Sequence, residues 1–224
     1  SRPDSIIKNI SVYEYRKKLG ASLAKESHVD SDLIVPVPDS GVPAAIGYAG
    51  EIKQNIELGI IRNHYVGRTF IEPTQQIRSL GVKLKHSINK TLIKNKSLIL
   101  IDDSLVRGTT SVKIIKMLYE SGAKEVHLRI ASPPIKYPDY YGVDTPTKNE
   151  LLAARLDIES MRKFTNATTL KFLSIEGLYK SMGYQKRNSS YPQFTDHCFT
   201  GEYPIKPIDA NDKDFISNKV SLMS

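Results

Sequence analysis

Apolar residues recur along this chain at two different periods. Val12, Tyr15, Leu19 and Leu23 return every three or four positions, which predicts an amphipathic helix from about Ser11 to Lys25. Leu33-Ile34-Val35-Pro36-Val37-Pro38 is instead an unbroken, β-branched run closed by proline, the length and composition of a buried strand. Asp39-Ser40-Gly41 then reads as a turn, and Val42 to Ile52 as a helix of small residues. From Arg62 to Lys85 the chain is polar, arginine-rich and weakly periodic. That predicts a long loop running into a helix, and loops of such length in compact domains are usually functional.

Ser97 to Ile101 repeats the buried-strand pattern, and Glu125 to Ala131 repeats it again. Between them lies a helix with Val112, Ile115, Leu118 and Tyr119 on one face and Gly122 as its stop. Strand–helix–strand succession predicts an α/β fold, a parallel sheet flanked by helices. Pro133-Pro134 opens a looser region, after which Glu150 to Phe164 and Ile175 to Met182 read as helices. From Gly183 onward the chain is rich in Tyr, Pro, Ser and Asn. We therefore expect a domain over residues 1–182 and an extension, residues 183–224, packed on it.

Composition narrows the chemistry. With 40% hydrophobic and 25% charged residues over 224 positions, the chain has the make-up of a folded soluble domain. Its one cysteine, Cys198, excludes an intrachain disulfide framework, a Cys-rich metal site and an iron–sulfur cluster held by this chain's own thiolates. The apolar runs are too short to span a bilayer, and no tripartite signal opens the sequence, so we expect a cytoplasmic protein with no membrane partner. The net charge of +8 favours anionic partners. These charges are scattered rather than gathered on a basic helix or an aromatic strand, which points to a phosphate site and to no nucleic-acid partner. The five histidines show no metal-ligand spacing.

Ligands of parallel sheets bind beyond the carboxyl ends of strands, and two such ends are unusual here. Asp102-Asp103 leaves the second strand and is followed after a short loop by Gly108-Thr109-Thr110-Ser111. Adjacent carboxylates can hold sugar hydroxyls and a hard cation such as Mg²⁺. Gly108 lets backbone approach closely, and Thr109 to Ser111 open a helix whose free N–H groups and dipole favour a phosphate. Together they measure out a sugar phosphate. Pro38-Asp39-Ser40-Gly41 could take a second phosphate or a pyrophosphate on its backbone N–H groups, although the same residues also make an ordinary turn. Neither end is a Walker loop or a dinucleotide fingerprint.

The run Leu98-Ile99-Leu100-Ile101-Asp102-Asp103-Ser104-Leu105-Val106-Arg107-Gly108-Thr109-Thr110-Ser111 resembles the phosphoribosylpyrophosphate (PRPP) motif of type I phosphoribosyltransferases. Within that family it is most similar to the glutamine PRPP amidotransferase branch. Arg2-Pro3-Asp4-Ser5, Ser11-Val12-Tyr13, Tyr65 to Ile71 and Tyr141-Gly142-Val143-Asp144 carry the same resemblance, which runs from about Arg2 to Pro204. It implies a type I phosphoribosyltransferase fold with a small hood. It also implies displacement of pyrophosphate from PRPP by ammonia to give phosphoribosylamine, the opening step of purine synthesis.

By this resemblance Asp102 and Asp103 are catalytic and, with Ser40, hold Mg²⁺. Asp39, Ser40, Gly41, Arg62, Ser104, Arg107, Gly108, Thr109, Thr110 and Ser111 bind PRPP. Tyr65, Arg68 and Arg78 belong to a lid, with Tyr65 and Arg68 counted as catalytic. Family members with an iron–sulfur cluster have cysteines near Asp139, Pro192 and Thr195, so the resemblance implies the cluster-free kind. Family members also carry a glutaminase domain ahead of this segment, are inhibited by purine nucleotides and form homodimers or homotetramers. The expectation is a phosphoribosyltransferase half that uses ammonia unless a glutaminase domain or chain is supplied. Two other readings share the motif. One is a PRPP-binding transcriptional regulator without catalysis, the other a phosphoribosyltransferase with a nucleobase acceptor.

Overall fold

The computed structural model describes residues 2–7, 9–63, 85–143, 145 and 147–205. Along the chain run β1 (Ile6–Ile7), β2 (Ile10–Ser11), α1 (Val12–Ser27), β3 (Leu33–Pro36), α2 (Val42–Ile52), β4 (Ile60–Arg62) and β5 (His86–Ile88). Next come α3 (Lys90–Ile93), β6 (Ser97–Asp102), α4 (Thr109–Glu120), β7 (Glu125–Ile130), a 3₁₀ turn (Lys148–Glu150) and α5 (Leu152–Arg155). The last described elements are α6 (Ile158–Thr165), β8 (Thr169–Phe172), α7 (Ile175–Ser181) and α8 (His197–Thr200).

Strands β3, β6, β7 and β8 form, in that order, a parallel four-stranded sheet. Helices cover both of its faces, and this explains why β6 reads as a continuous apolar run. Leu98 and Leu100 enter one core with Ile114, Ile115 and Leu118 of α4. Ile99 and Ile101 enter the other with Leu23 of α1 and Ala44, Ala45 and Tyr48 of α2.

The small-residue composition of α2 has a direct cause. A Cβ on Gly20 would stand 1.8 Å from the carbonyl oxygen of Ala44, and one on Gly47 would stand 1.8 Å from that of Lys17. Helices α1 and α2 thus touch backbone to backbone. Arg129, buried on β7, donates to the Ser27 carbonyl at 2.7 Å and to Thr169 Oγ1 at 2.9 Å, tying the end of α1 to β7 and β8.

Four features differ from the sequence reading. The helix expected over Glu150 to Phe164 is broken into the 3₁₀ turn, α5 and α6, because Asp157 leaves helical geometry and caps α6 by accepting from Ser160 N–H at 2.7 Å. Strand β8 went unread: Thr-Leu-Lys-Phe is too short to show a period, and its pairing with β7 is what makes it a strand. The antiparallel pairs β1–β2 and β4–β5 escaped for the same reason. Strand β3 ends at Pro36, two residues short of expectation, yet Val37 N–H still reaches the Ile101 carbonyl at 2.8 Å.

Beyond Gly183, Arg187 pairs with Asp196 at 2.5 Å and with Glu202 at 2.6 Å. Tyr179 of α7 donates to the same Asp196 at 2.8 Å. Among the described residues, no helix is long and apolar enough to cross a membrane.

Candidate active site

The site begins where β6 stops. Asp102, its last residue, is 7% exposed, and its Oδ1 accepts from Asp103 N–H at 2.9 Å and from Ser40 Oγ at 3.0 Å. Ser104 Oγ donates to Asp103 Oδ1 at 3.2 Å. The two strand ends singled out in the sequence therefore meet, with Ser40 as the link.

Gly41 makes that meeting possible. A Cβ there would lie 2.3 Å from the Ile101 carbonyl oxygen, so the turn before α2 closes onto β6 only with glycine. The peptide between Pro38 and Asp39 in this turn is cis.

The loop after Asp103 is anchored by buried Leu105 and by Leu152 N–H, which donates to the Val106 carbonyl at 2.8 Å. It ends at Gly108, where φ is +76° and a Cβ would meet Leu152 at 2.8 Å and Phe164 at 3.0 Å. Conformation and space both demand glycine here. Val112 N–H bonds the Gly108 carbonyl at 3.0 Å, so the N–H groups of Thr109, Thr110 and Ser111 precede the helical ladder. They sit at the positive end of α4's dipole, the arrangement that receives a phosphate.

These parts line one cavity of about 330 Å³. It collects Ser40, Asp102, Asp103, Ser104, Arg107 and Gly108 through Ser111, with His86 on its wall. His86 was not foreseen. It lies at the end of the polar stretch that gave no local signal, and the β4–β5 pairing opposite Arg62 places it. Asp39, Gly41 and Arg62 flank the cavity rather than line it, and Asp39 and Arg62 form an ion pair. Arg107 reaches Glu150 at 3.1 Å, with both side chains about half exposed. Tyr65, Arg68 and Arg78 lie outside the described residues. A smaller cavity of about 210 Å³ shares Ser40 and Asp103 and is otherwise bordered by Arg16, Ala44, Leu178 and Phe199, among others.

Burial, and after it the charge of Asp103, pushes the Asp102 carboxyl up to about 8, against the opposing pull of the Asp103 N–H and Ser40 hydrogen bonds. A buried carboxylate beside a second one, with only neutral donors around it, is short of positive charge. The donors gathered here, two carboxylates and a hydroxyl, are hard oxygens suited to a cation such as Mg²⁺.

No family model matches the chain. It is 56% identical to the amidophosphoribosyltransferase of Rhizobium etli over 225 aligned positions, which cover 100% of this chain and 45% of that protein. Identity to the amidophosphoribosyltransferase of Bacillus subtilis is 50%, covering 92% of this chain and 43% of the relative. The solved structure of glutamine PRPP amidotransferase from B. subtilis, complexed with ADP and GMP, superposes with a TM-score of 0.81 at 50% identity, over 91% of this chain and 45% of that one. The chain thus spans less than half the length of the curated relatives it matches.

Proposed function

We propose that this chain, a homologue of amidophosphoribosyltransferases over one portion of their length, carries out the phosphoribosyl-transfer half of that reaction: PRPP and ammonia give phosphoribosylamine and pyrophosphate. The observation that carries the proposal is the single cavity in which the Asp102–Asp103 pair, Ser40 and the amino end of α4 face a common space.

In this reading the N–H groups and hydroxyls of Thr109, Thr110 and Ser111 hold the 5-phosphate at the α4 terminus. Asp102 and Asp103 accept hydrogen bonds from the ribose hydroxyls and fix the sugar in the cavity. The pyrophosphate lies toward the turn that contains Ser40. Ammonia attacks the anomeric carbon, the C–N bond forms as the C–O bond to pyrophosphate breaks, and the new amine sheds a proton. Positive charge gathers on the ribose during that exchange, and the neighbouring carboxylates stabilise it. Asp102, Asp103 and Ser40 would hold Mg²⁺, whose charge would offset that of the leaving pyrophosphate. Within these 224 residues the acceptor is ammonia, and glutamine serves only when a glutaminase domain or chain hydrolyses it to glutamate and releases that ammonia. Purine nucleotides inhibit by occupying the same phosphate-binding parts, a reading supported by the relative solved with ADP and GMP.

The experiment is pyrophosphate release from PRPP and Mg²⁺, with ammonium, glutamine or purine bases as acceptor. Release with ammonium is expected. Release with a purine base alone replaces this reading with base salvage. PRPP binding without release under any acceptor points to a regulator.

A further inference from the structure

The loop that leads from Asp103 to α4 is braced by a short stretch of chain outside the cavity. Leu152 N–H donates to the Val106 carbonyl at 2.8 Å, and Leu152 and Phe164 fill the space beside Gly108. Leu105 is packed into the core on one side of the sheet. These contacts set Leu105, Val106 and Gly108. They leave the long side chain of Arg107, which lines the cavity, with its rotamers still to be chosen.

Glu150 makes that choice. Its Oε1 accepts from Arg107 Nε at 3.1 Å, while its Oε2 accepts from Thr147 N–H at 3.2 Å and from Thr147 Oγ1 at 3.1 Å. The Thr147 bonds belong to the capping box of the 3₁₀ turn, so the carboxylate is anchored independently of the guanidinium. Burial pushes the Glu150 carboxyl up, but the Arg107 and Thr147 hydrogen bonds outweigh it and hold the group below the usual carboxylate range.

An ion pair with both partners about half exposed contributes little to stability. What this one fixes is direction. Glu150 engages Nε, so the Nη1–Nη2 end of the planar fork is the part that can meet an anion. Arg107 stands directly before Gly108 and the amino end of α4. On the reading that α4 receives the 5-phosphate, we propose that Glu150 is a positioning residue, anchored by Thr147, which holds the Arg107 guanidinium toward that phosphate.

Two effects compete when the carboxylate is lost. Removing a negative charge from the edge of an anion site tightens the anion by about twofold through water. Loosening Arg107 weakens the anion instead, because the ligand must then order a rotamer-rich side chain. Positioning therefore predicts a loss of affinity where bare electrostatics predicts a gain.

The test uses Glu150→Gln, which keeps an oxygen for the Thr147 cap and removes the charge that holds Arg107. Binding of ribose 5-phosphate and, separately, of pyrophosphate with Mg²⁺ is measured by calorimetry on the 224-residue chain. Glu150→Gln is expected to weaken ribose 5-phosphate at least about fivefold and to leave pyrophosphate within about twofold of the parent. With ammonium as acceptor, KM for PRPP should rise by a similar factor while kcat stays within about twofold. In an Arg107→Gln background the same Glu150→Gln change should alter ribose 5-phosphate affinity by less than about 1.5-fold, since a residue that acts through Arg107 has nothing left to position.

Unchanged or tighter ribose 5-phosphate binding in Glu150→Gln overturns the proposal. So does an equal loss for pyrophosphate, or a full loss that persists without Arg107, because either makes Glu150 a general support of the loop. A parent chain that binds neither ligand removes the phosphate reading itself, and the role of Glu150 falls with it.

Discussion

Asp102 and Asp196 are both carboxylates with less than a tenth of their surface exposed, and the fold treats them in opposite ways. Around Asp196, burial works to push the carboxyl up, but the Arg187 hydrogen bonds, helped by Tyr179 and Thr200, outweigh it and hold the group below the usual carboxylate range. Around Asp102 the donors are a hydroxyl and a backbone N–H, the near neighbour is another acid, and burial prevails. One carboxylate is satisfied by its own chain. The other is held in want of a partner, which is how a structure keeps a binding group ready at some expense to stability.

The largest effect expected from this contrast is on turnover. Asp102→Ala and Asp103→Ala should each lower ammonium-dependent pyrophosphate release by about a thousandfold or more while the fold survives, as a loss of roughly 4 kcal/mol of transition-state stabilisation requires. Wild-type rates in both variants, measured by coupled pyrophosphate assay, would sink the site. Asp196→Ala should do the reverse. It strands the mostly buried guanidinium of Arg187 with Glu202 alone, and urea unfolding should show a loss of about 3 kcal/mol. A variant as stable as the parent breaks the comparison from the other side.

The pH dependence sharpens it further. The folded state binds the Asp102 proton more tightly than the unfolded state does, so this group lowers stability as pH rises from about 4 toward 8. Asp196 contributes stability that is present above its unfolded value near 4 and is lost only as pH falls through its depressed folded value. Asp102→Asn should therefore be more stable than the parent at pH 8 by about 1–3 kcal/mol, with the gap closing near pH 4 in thermal melts. An equal gap at both pH values removes Asp102 as its source. The smallest effect belongs to the exposed pair Arg107–Glu150, where Glu150→Ala should cost about 0.5–1 kcal/mol, mostly through the lost Thr147 capping box. A cost above about 2 kcal/mol in the same urea assay would give that exposed corner the weight assigned here to buried pairs.

The parts of the site that could be read from sequence were the local ones. Strand β6, the acids at its end and the Gly-Thr-Thr-Ser start of α4 lie within one run of residues, so their order alone fixes their placement. The linkage of Ser40 to Asp102 could be inferred only from the parallel-sheet rule, because 62 positions separate them. His86 and β8 could not be inferred, since strand pairing places both. The tail beyond Gly183 read as an irregular extension because its anchors, Arg187, Asp196 and Glu202, are single charges with no period.

The bare contact between α1 and α2 has a consequence for how this sequence can change over generations. Helix α2 starts from the turn that presents Ser40, and its other flank rests on α1 with no side chain between them at Gly20 or Gly47. A methyl group added at either position must lever α2 outward and draw Ser40 away from Asp102. Drift at two glycines outside the cavity lining would therefore be inherited as a distorted cavity at Ser40 and Asp102.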